Sequence, residues 1–168
     1  MEARGGAPLG WLALAITVAV LDQITKLIAL DNLLLHRPVP VFPTFDLMLT
    51  YNTGAAFSLL SDAGGWQRWL FIALAVTVSA VLLRWLWTLP ARERWLALAL
   101  SLVLGGAVGN LVDRVFRDGA VVDFLYFHYQ DFHWPAFNLA DSAITVGAVI
   151  IVIHALFAPD SRADRQTS

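Results

Sequence analysis

Apolar residues along this chain fall into four long blocks, at about residues 11–30, 69–87, 95–114 and 139–157. A helix needs ~20 mostly apolar residues to cross the ~30 Å hydrocarbon core of a bilayer. Backbone groups find no water there, so only helices or closed barrels span it. These blocks are too long and too uniformly apolar for barrel strands. The stretch Trp95–Val112 carries no charge at all, and Arg84 lies near one end of its block, where its stem can snorkel to the headgroups. The pattern predicts four transmembrane helices in a single integral-membrane domain over residues 1–168.

Between the first two blocks the period changes. Phe45, Leu47, Leu49 and Tyr51 alternate with Asp46, Met48, Thr50 and Asn52, which predicts a strand with one apolar face. Asn52-Thr53-Gly54 reads as a turn, and Ala55–Leu60 as a return strand. Pro38, Pro40 and Pro43 delimit the start. The expected fold is therefore membrane all-α, with a small β-sheet on the outer face inserted between helices 1 and 2. The segment Thr88–Arg94 is short and makes helices 2 and 3 antiparallel neighbours, while Phe116–Phe137 is expected to be an outer loop.

Composition agrees with the pattern. The chain is 58% hydrophobic and 14% charged, against roughly 25% charged in ordinary soluble domains. It contains no cysteine, which excludes disulfides, thiolate catalysis and cysteine metal sites. A net charge of −2 without a run of like charge argues against a nucleic-acid partner. The first block is too long for a signal-peptide core and carries Asp22, Gln23 and Lys26, so it is expected to be retained. Arg4, Arg84, Arg92, Arg94, Arg162 and Arg165 lie on one side of the spans, and Arg37, Arg68, Arg114 and Arg117 on the other. That bias places both termini in the cytoplasm and the two long connections outside.

Ionisable groups within spans are costly, about 2.5–3.5 kcal/mol each at a helix centre on insertion scales. Asp22 and Lys26 share a helix face, as a structural ion pair or as the border of a site. Asn110 and Arg114 also share a face, next to Asp113, which is read as an interfacial or local charge partner. Gly105, Gly106 and Gly109 before them permit close helix approach. Asn138 caps the fourth helix and Asp141 suits its first turn, roles that leave room for a second one. Asp123 sits within the apolar run Val121–Leu125, an unusual setting for a solvated loop charge.

All these groups collect at the outer ends of the helices. Two carboxylates from different elements, Asp123 and Asp141, can converge there and share one proton. One then activates water as a base, and the other protonates the carbonyl oxygen and the leaving amine. His128 and His133, near Asp131, are weak metal candidates better explained as part of an aromatic interfacial loop. Ser58 and Ser142 lack a well-placed histidine and aspartate, and no phosphate loop is present. His36 and His154 look incidental. No metal and no cofactor is expected.

Five ordered segments carry a resemblance: Asp22–Lys26, Asn52–Phe57, Gly105–Arg114, Val121–Phe124 and Phe137–Ser142. With them the chain resembles the bacterial lipoprotein signal peptidases (signal peptidase II) from Trp11 to about Phe157. The resemblance implies an intramembrane aspartic endopeptidase that cuts diacylglyceryl-modified prolipoproteins just before the lipidated cysteine. It implies Asp123 and Asp141 as the catalytic dyad, with Asn52, Asn110, Arg114 and Asn138 lining the site. It implies structural support from Asp22, Lys26 and Gly54, and a small periplasmic sheet cradling the substrate. It also implies an inner-membrane location and membrane lipid as surroundings; one chain holds every residue named, so a monomer suffices. Phe57 is expected to help cover the site.

Two other classes compete. A small proton-coupled transporter predicts polar groups spread through the membrane depth. A scaffold without chemistry predicts that Asp123 and Asp141 matter only to folding.

Overall fold

The computed structural model describes residues 8–54 and 65–157. The expected return strand at Ala55–Leu60, the cover residue Phe57, and Ser58 lie outside the described residues, as do Arg4, Arg162 and Arg165. The helices are α1 (Pro8–Asn32), α2 (Trp66–Thr88), α3 (Arg94–Phe116) and α4 (Leu139–Phe157). Each is long and apolar enough to cross a membrane. Three of them extend a few residues beyond the apolar blocks, because polar residues at a helix end can still complete its last turns.

Helix α3 is the hub. It packs against α1, α2 and α4, whereas α1 and α2 scarcely touch. Half of its apolar window is buried, while the other helices turn most of their side chains outward. Leu100 and Ala99 are fully buried, with Ala15, Leu82, Leu86 and Leu104 around Leu100. Small residues let the backbones approach, as the glycine pattern predicted. A Cβ on Gly106 would collide with the Ala140 carbonyl of α4. One on Gly109 would lie 2.6 Å from Asp22 Oδ2 of α1.

The sheet is larger than the sequence pattern foretold. Strands β1 (Val39–Phe42) and β2 (Phe45–Asn52) form a hairpin between α1 and α2. Strands β3 (Val121–Tyr129) and β4 (Phe132–His133), between α3 and α4, complete an antiparallel sheet in the order β1-β2-β3-β4. The expected outer loop at Phe116–Phe137 thus carries two strands. The start of β3, Val121–Phe124, is buried throughout, so it lacks the alternation that marks a half-buried strand. Pro40 sits on edge strand β1, where its missing N–H does no harm.

Strand β2 also departs from a simple apolar face. A register shift between Leu47 and Thr50 interrupts the alternation. Before the shift, Asp46 is buried and meets His128 Nε2 of β3 at 3.2 Å. Below the shift, Thr50 pairs with Asp123 and Asn52 with Val121. The sheet therefore presents Asp123 at the helix end nearest Asn52. At the opposite end of the bundle, Glu93 Oε2 meets His154 Nε2 at 3.0 Å.

Candidate active site

The polar residues at the sheet end of α3 are Asn110, Asp113 and Arg114, with Arg117 just past its last residue. Their spacing of three and four places them on one helical stripe. Opposite them stand Asp22, Gln23 and Lys26 of α1, and the start of α4 closes the third side.

Helix α4 begins with a reciprocal cap. The Asp141 N–H donates to Asn138 Oδ1 at 2.9 Å, and the Asn138 N–H donates to Asp141 Oδ2 at 3.2 Å. Capping is only part of what Asn138 does. It is fully buried, and its Nδ2 donates to Asp123 Oδ1 at 2.7 Å. The same amide nitrogen lies 3.2 Å from Asn110 Oδ1. Asn110 Nδ2 in turn donates to Asp141 Oδ1 at 2.8 Å. Two asparagines thus join the two aspartates, one on a strand and one on a helix.

Asn52 bonds to the Asp123 carboxylate through its side chain. Its Oδ1 also accepts the Gly54 N–H at 3.0 Å, forming the expected turn. The Gly54 carbonyl accepts from Arg114 Nη2 at 3.2 Å. The Arg114 guanidinium also lies 5.2 Å over the Phe71 ring, which holds it against α2. Its Nε is buried without a partner among the described residues.

These residues surround a cavity of about 820 Å³. Asn52, Asn110, Arg114, Asp123 and Asp141 all line it. Ile144 and Val146 of α4 extend it along the helix, and Tyr126, His133 and Trp134 bound it at the sheet. Burial pushes the Asp123 carboxyl from 3.8 up to about 7, and the neighbouring Asp141 charge adds to the rise. Hydrogen bonds from Asn138 and Asn52 and the Lys26 charge oppose it. The result is a carboxyl poised to exchange a proton near neutral pH beside a second carboxyl.

Beneath the cavity lies a charged layer. Lys26 Nζ lies 2.8 Å from Asp22 Oδ2 and 2.8 Å from Asp113 Oδ2, and all three side chains are fully buried. Lys26 also donates to Asn110 Oδ1 at 2.9 Å. Asp113, expected as an interfacial or local charge partner, is a charge partner of Lys26 and Arg117, but it is buried inside this layer and not at the interface, because the α1 helix covers that face of α3. Arg117 pairs with Asp113 Oδ1, and Gln23 Nε2 donates to the same oxygen at 3.0 Å. Two cations and two carboxylates cancel, which makes their shared burial tolerable.

Gln23 and Arg117 were not singled out from the sequence. The helical spacing Asn110, Asp113, Arg114, Arg117 contained the signal for Arg117, and Gln23 sits beside Asp22. The two histidines go elsewhere. His133 Nδ1 is 2.7 Å from the Tyr126 hydroxyl, and His128 faces Asp46. Among the described residues no group of three His, Asp or Glu side chains is arranged to hold a metal.

The family model described as "Signal peptidase (SPase) II" matches residues 14–157. The lipoprotein signal peptidase of Teredinibacter turnerae is 52% identical over 152 residues, covering 90% of this chain and 89% of the relative. That of Pseudomonas putida is 56% identical over 147 residues, covering 86% and 85%. Among solved structures, a bacterial membrane enzyme determined by the in meso method at 1.9 Å resolution matches with a TM-score of 0.79 at 28% identity. That match covers 94% of this chain and 99% of the other. By sequence and by fold, the chain belongs to the signal peptidase II family.

Proposed function

We propose that this protein is a lipoprotein signal peptidase working as an intramembrane aspartic endopeptidase. Its substrates are diacylglyceryl-modified prolipoproteins, cut just before the lipidated cysteine. One observation carries this reading: in a signal peptidase II chain, Asp123 and Asp141 line the same cavity and are joined by Asn110 and Asn138.

The chemistry follows from two carboxyls sharing one proton. The ionised member takes a proton from water, which attacks the scissile carbonyl. The protonated member donates to the carbonyl oxygen; the proton taken from water then passes to the leaving amine as the C–N bond breaks, and the collapsing diol returns a proton to the other member. Arg114 and Asn52, which line the cavity, offer donors to the carbonyls of an extended peptide. Those carbonyls would be costly to bury unpaired. The apolar flank at Ile144 and Val146 suits a signal helix and acyl chains entering sideways from lipid.

In this reading the sheet end faces the periplasm, both termini lie in the cytoplasm, and the enzyme works as a monomer in the bacterial inner membrane. The transporter alternative lacks support, because the buried charges form one layer at the sheet end. The test is to incubate purified protein with matched precursor peptides, with and without diacylglycerol on the cysteine, and to map the products by mass spectrometry. Cleavage before the cysteine of the lipidated peptide alone supports the proposal. Cleavage elsewhere, or none, refutes it.

A further inference from the structure

Asp22, Lys26 and Asp113 are fully buried, yet none of them lines the cavity. Ionised groups in such places cost several kcal/mol each unless well satisfied. Helix packing alone asks for no charge there. Their hydrogen bonds point to a more specific use.

The Lys26 ammonium has three donors, and all are used: on Asp22, Asp113 and Asn110. The free oxygen of Asp22, Oδ1, accepts the backbone N–H of Ala140 at 2.9 Å. Asp113 Oδ2 accepts the backbone N–H of Val122 at 3.0 Å. Ala140 immediately precedes Asp141, and Val122 immediately precedes Asp123. The same contact thus occurs twice, on two elements with no local symmetry. The third donor reaches Asn110, which itself holds Asp141.

We propose that Lys26, Asp22 and Asp113 form a positioning clamp for the dyad: one buried ammonium orients two carboxylates, and each carboxylate fixes the main chain one residue ahead of a catalytic aspartate. The clamp touches no substrate. It sets the separation of Asp123 and Asp141 by tying a strand and a helix to one point. Arg117 and Gln23 complete the coordination of Asp113. This inference rests on the assignment of the dyad proposed above.

The rival explanation is that these charges only hold α1 against α3. Substitutions at Asp113 separate the two. Asparagine keeps an oxygen for the Val122 N–H, whereas alanine keeps none. The measurements are amide exchange of isotope-labelled protein in micelles and steady-state cleavage of a diacylglyceryl-modified peptide. Asp113→Ala is expected to speed exchange at Val122 and to lower kcat about 100-fold, the scale of a 1 Å misplacement. KM should stay within about threefold, because substrate contacts are untouched. Asp113→Asn is expected to keep Val122 protected and to recover most of kcat.

Wild-type kcat in folded Asp113→Ala overturns the clamp. So does an equal loss in both variants with Val122 protection unchanged. If Asp113→Ala does not fold, Gly109→Ala provides the second route, since its new methyl displaces Asp22 while removing no charge. Faster exchange at Ala140 with lower kcat supports the clamp; faster exchange with unchanged kcat overturns it. A wild-type protein that cuts no lipidated peptide refutes the proposed activity instead, while amide exchange still reports whether the carboxylates hold the two segments.

Discussion

Asn138 donates to the Asp123 carboxylate at 2.7 Å while its own carbonyl oxygen accepts the Asp141 N–H at 2.9 Å. One side-chain amide therefore ends a helix and bridges two carboxylates. The two duties can be separated. A serine at this position still caps the helix but has no amide to reach Asp123. Asn138→Ser is expected to unfold within a few degrees of wild type and to lose about 10–100-fold in turnover, as befits a lost hydrogen bond to a charged group. Asn138→Ala is expected to lose the turnover and also about 1 kcal/mol of stability from the missing cap. Thermal unfolding and peptide cleavage on the same preparations check both.

The state of Asp123 sets a pH dependence. Its carboxyl is raised from 3.8 to about 7, so the folded protein holds a proton that the unfolded chain has released across that interval. Stability from this group is full below the unfolded value and declines as pH rises through the folded one. The shared proton leaves the pair on the same alkaline limb. Turnover at low substrate is therefore expected to fall above a midpoint near 7, measured as kcat/KM for a lipidated peptide, which reports the substrate-free enzyme. Flat turnover from pH 6 to pH 9 would contradict this protonation state.

Arg114 holds the Gly54 carbonyl and stacks on Phe71, with its guanidinium at the cavity wall. Lysine preserves the charge but not the planar fork. Arg114→Lys is expected to lower kcat/KM about 10–100-fold, the scale of a hydrogen bond to a charged group. A wild-type specificity constant in Arg114→Lys would reduce the guanidinium to a point charge.

Much of this arrangement was readable before any coordinates. The four helices declare themselves through length and apolarity, and Phe45–Tyr51 through alternation. Asp123, Asp141, Asn110 and Asn138 stand out because polar groups in apolar runs are expensive. What stayed hidden has physical causes. Strand β3 is buried on both sides at its start, so no period-two signal marks it. The burial of Asp113 depends on α1 packing across α3, a tertiary fact absent from either segment alone. The register shift in β2 and the contact of buried Asp46 with His128 belong to pairing with β3, not to the pattern of β2 alone.

The central claim is that Asp123 and Asp141 together perform the hydrolysis. The most direct measurement is cleavage of a diacylglyceryl-modified precursor by purified wild type, Asp123→Asn and Asp141→Asn in lipid. Asparagine is nearly isosteric and unable to act as base, so helicity and yield should match wild type. The account predicts cleavage by wild type and loss of at least about 1000-fold in each variant, the upper range of general acid–base catalysis. Full turnover in either variant, in well-folded protein, would remove that aspartate from the reaction and contradict the account.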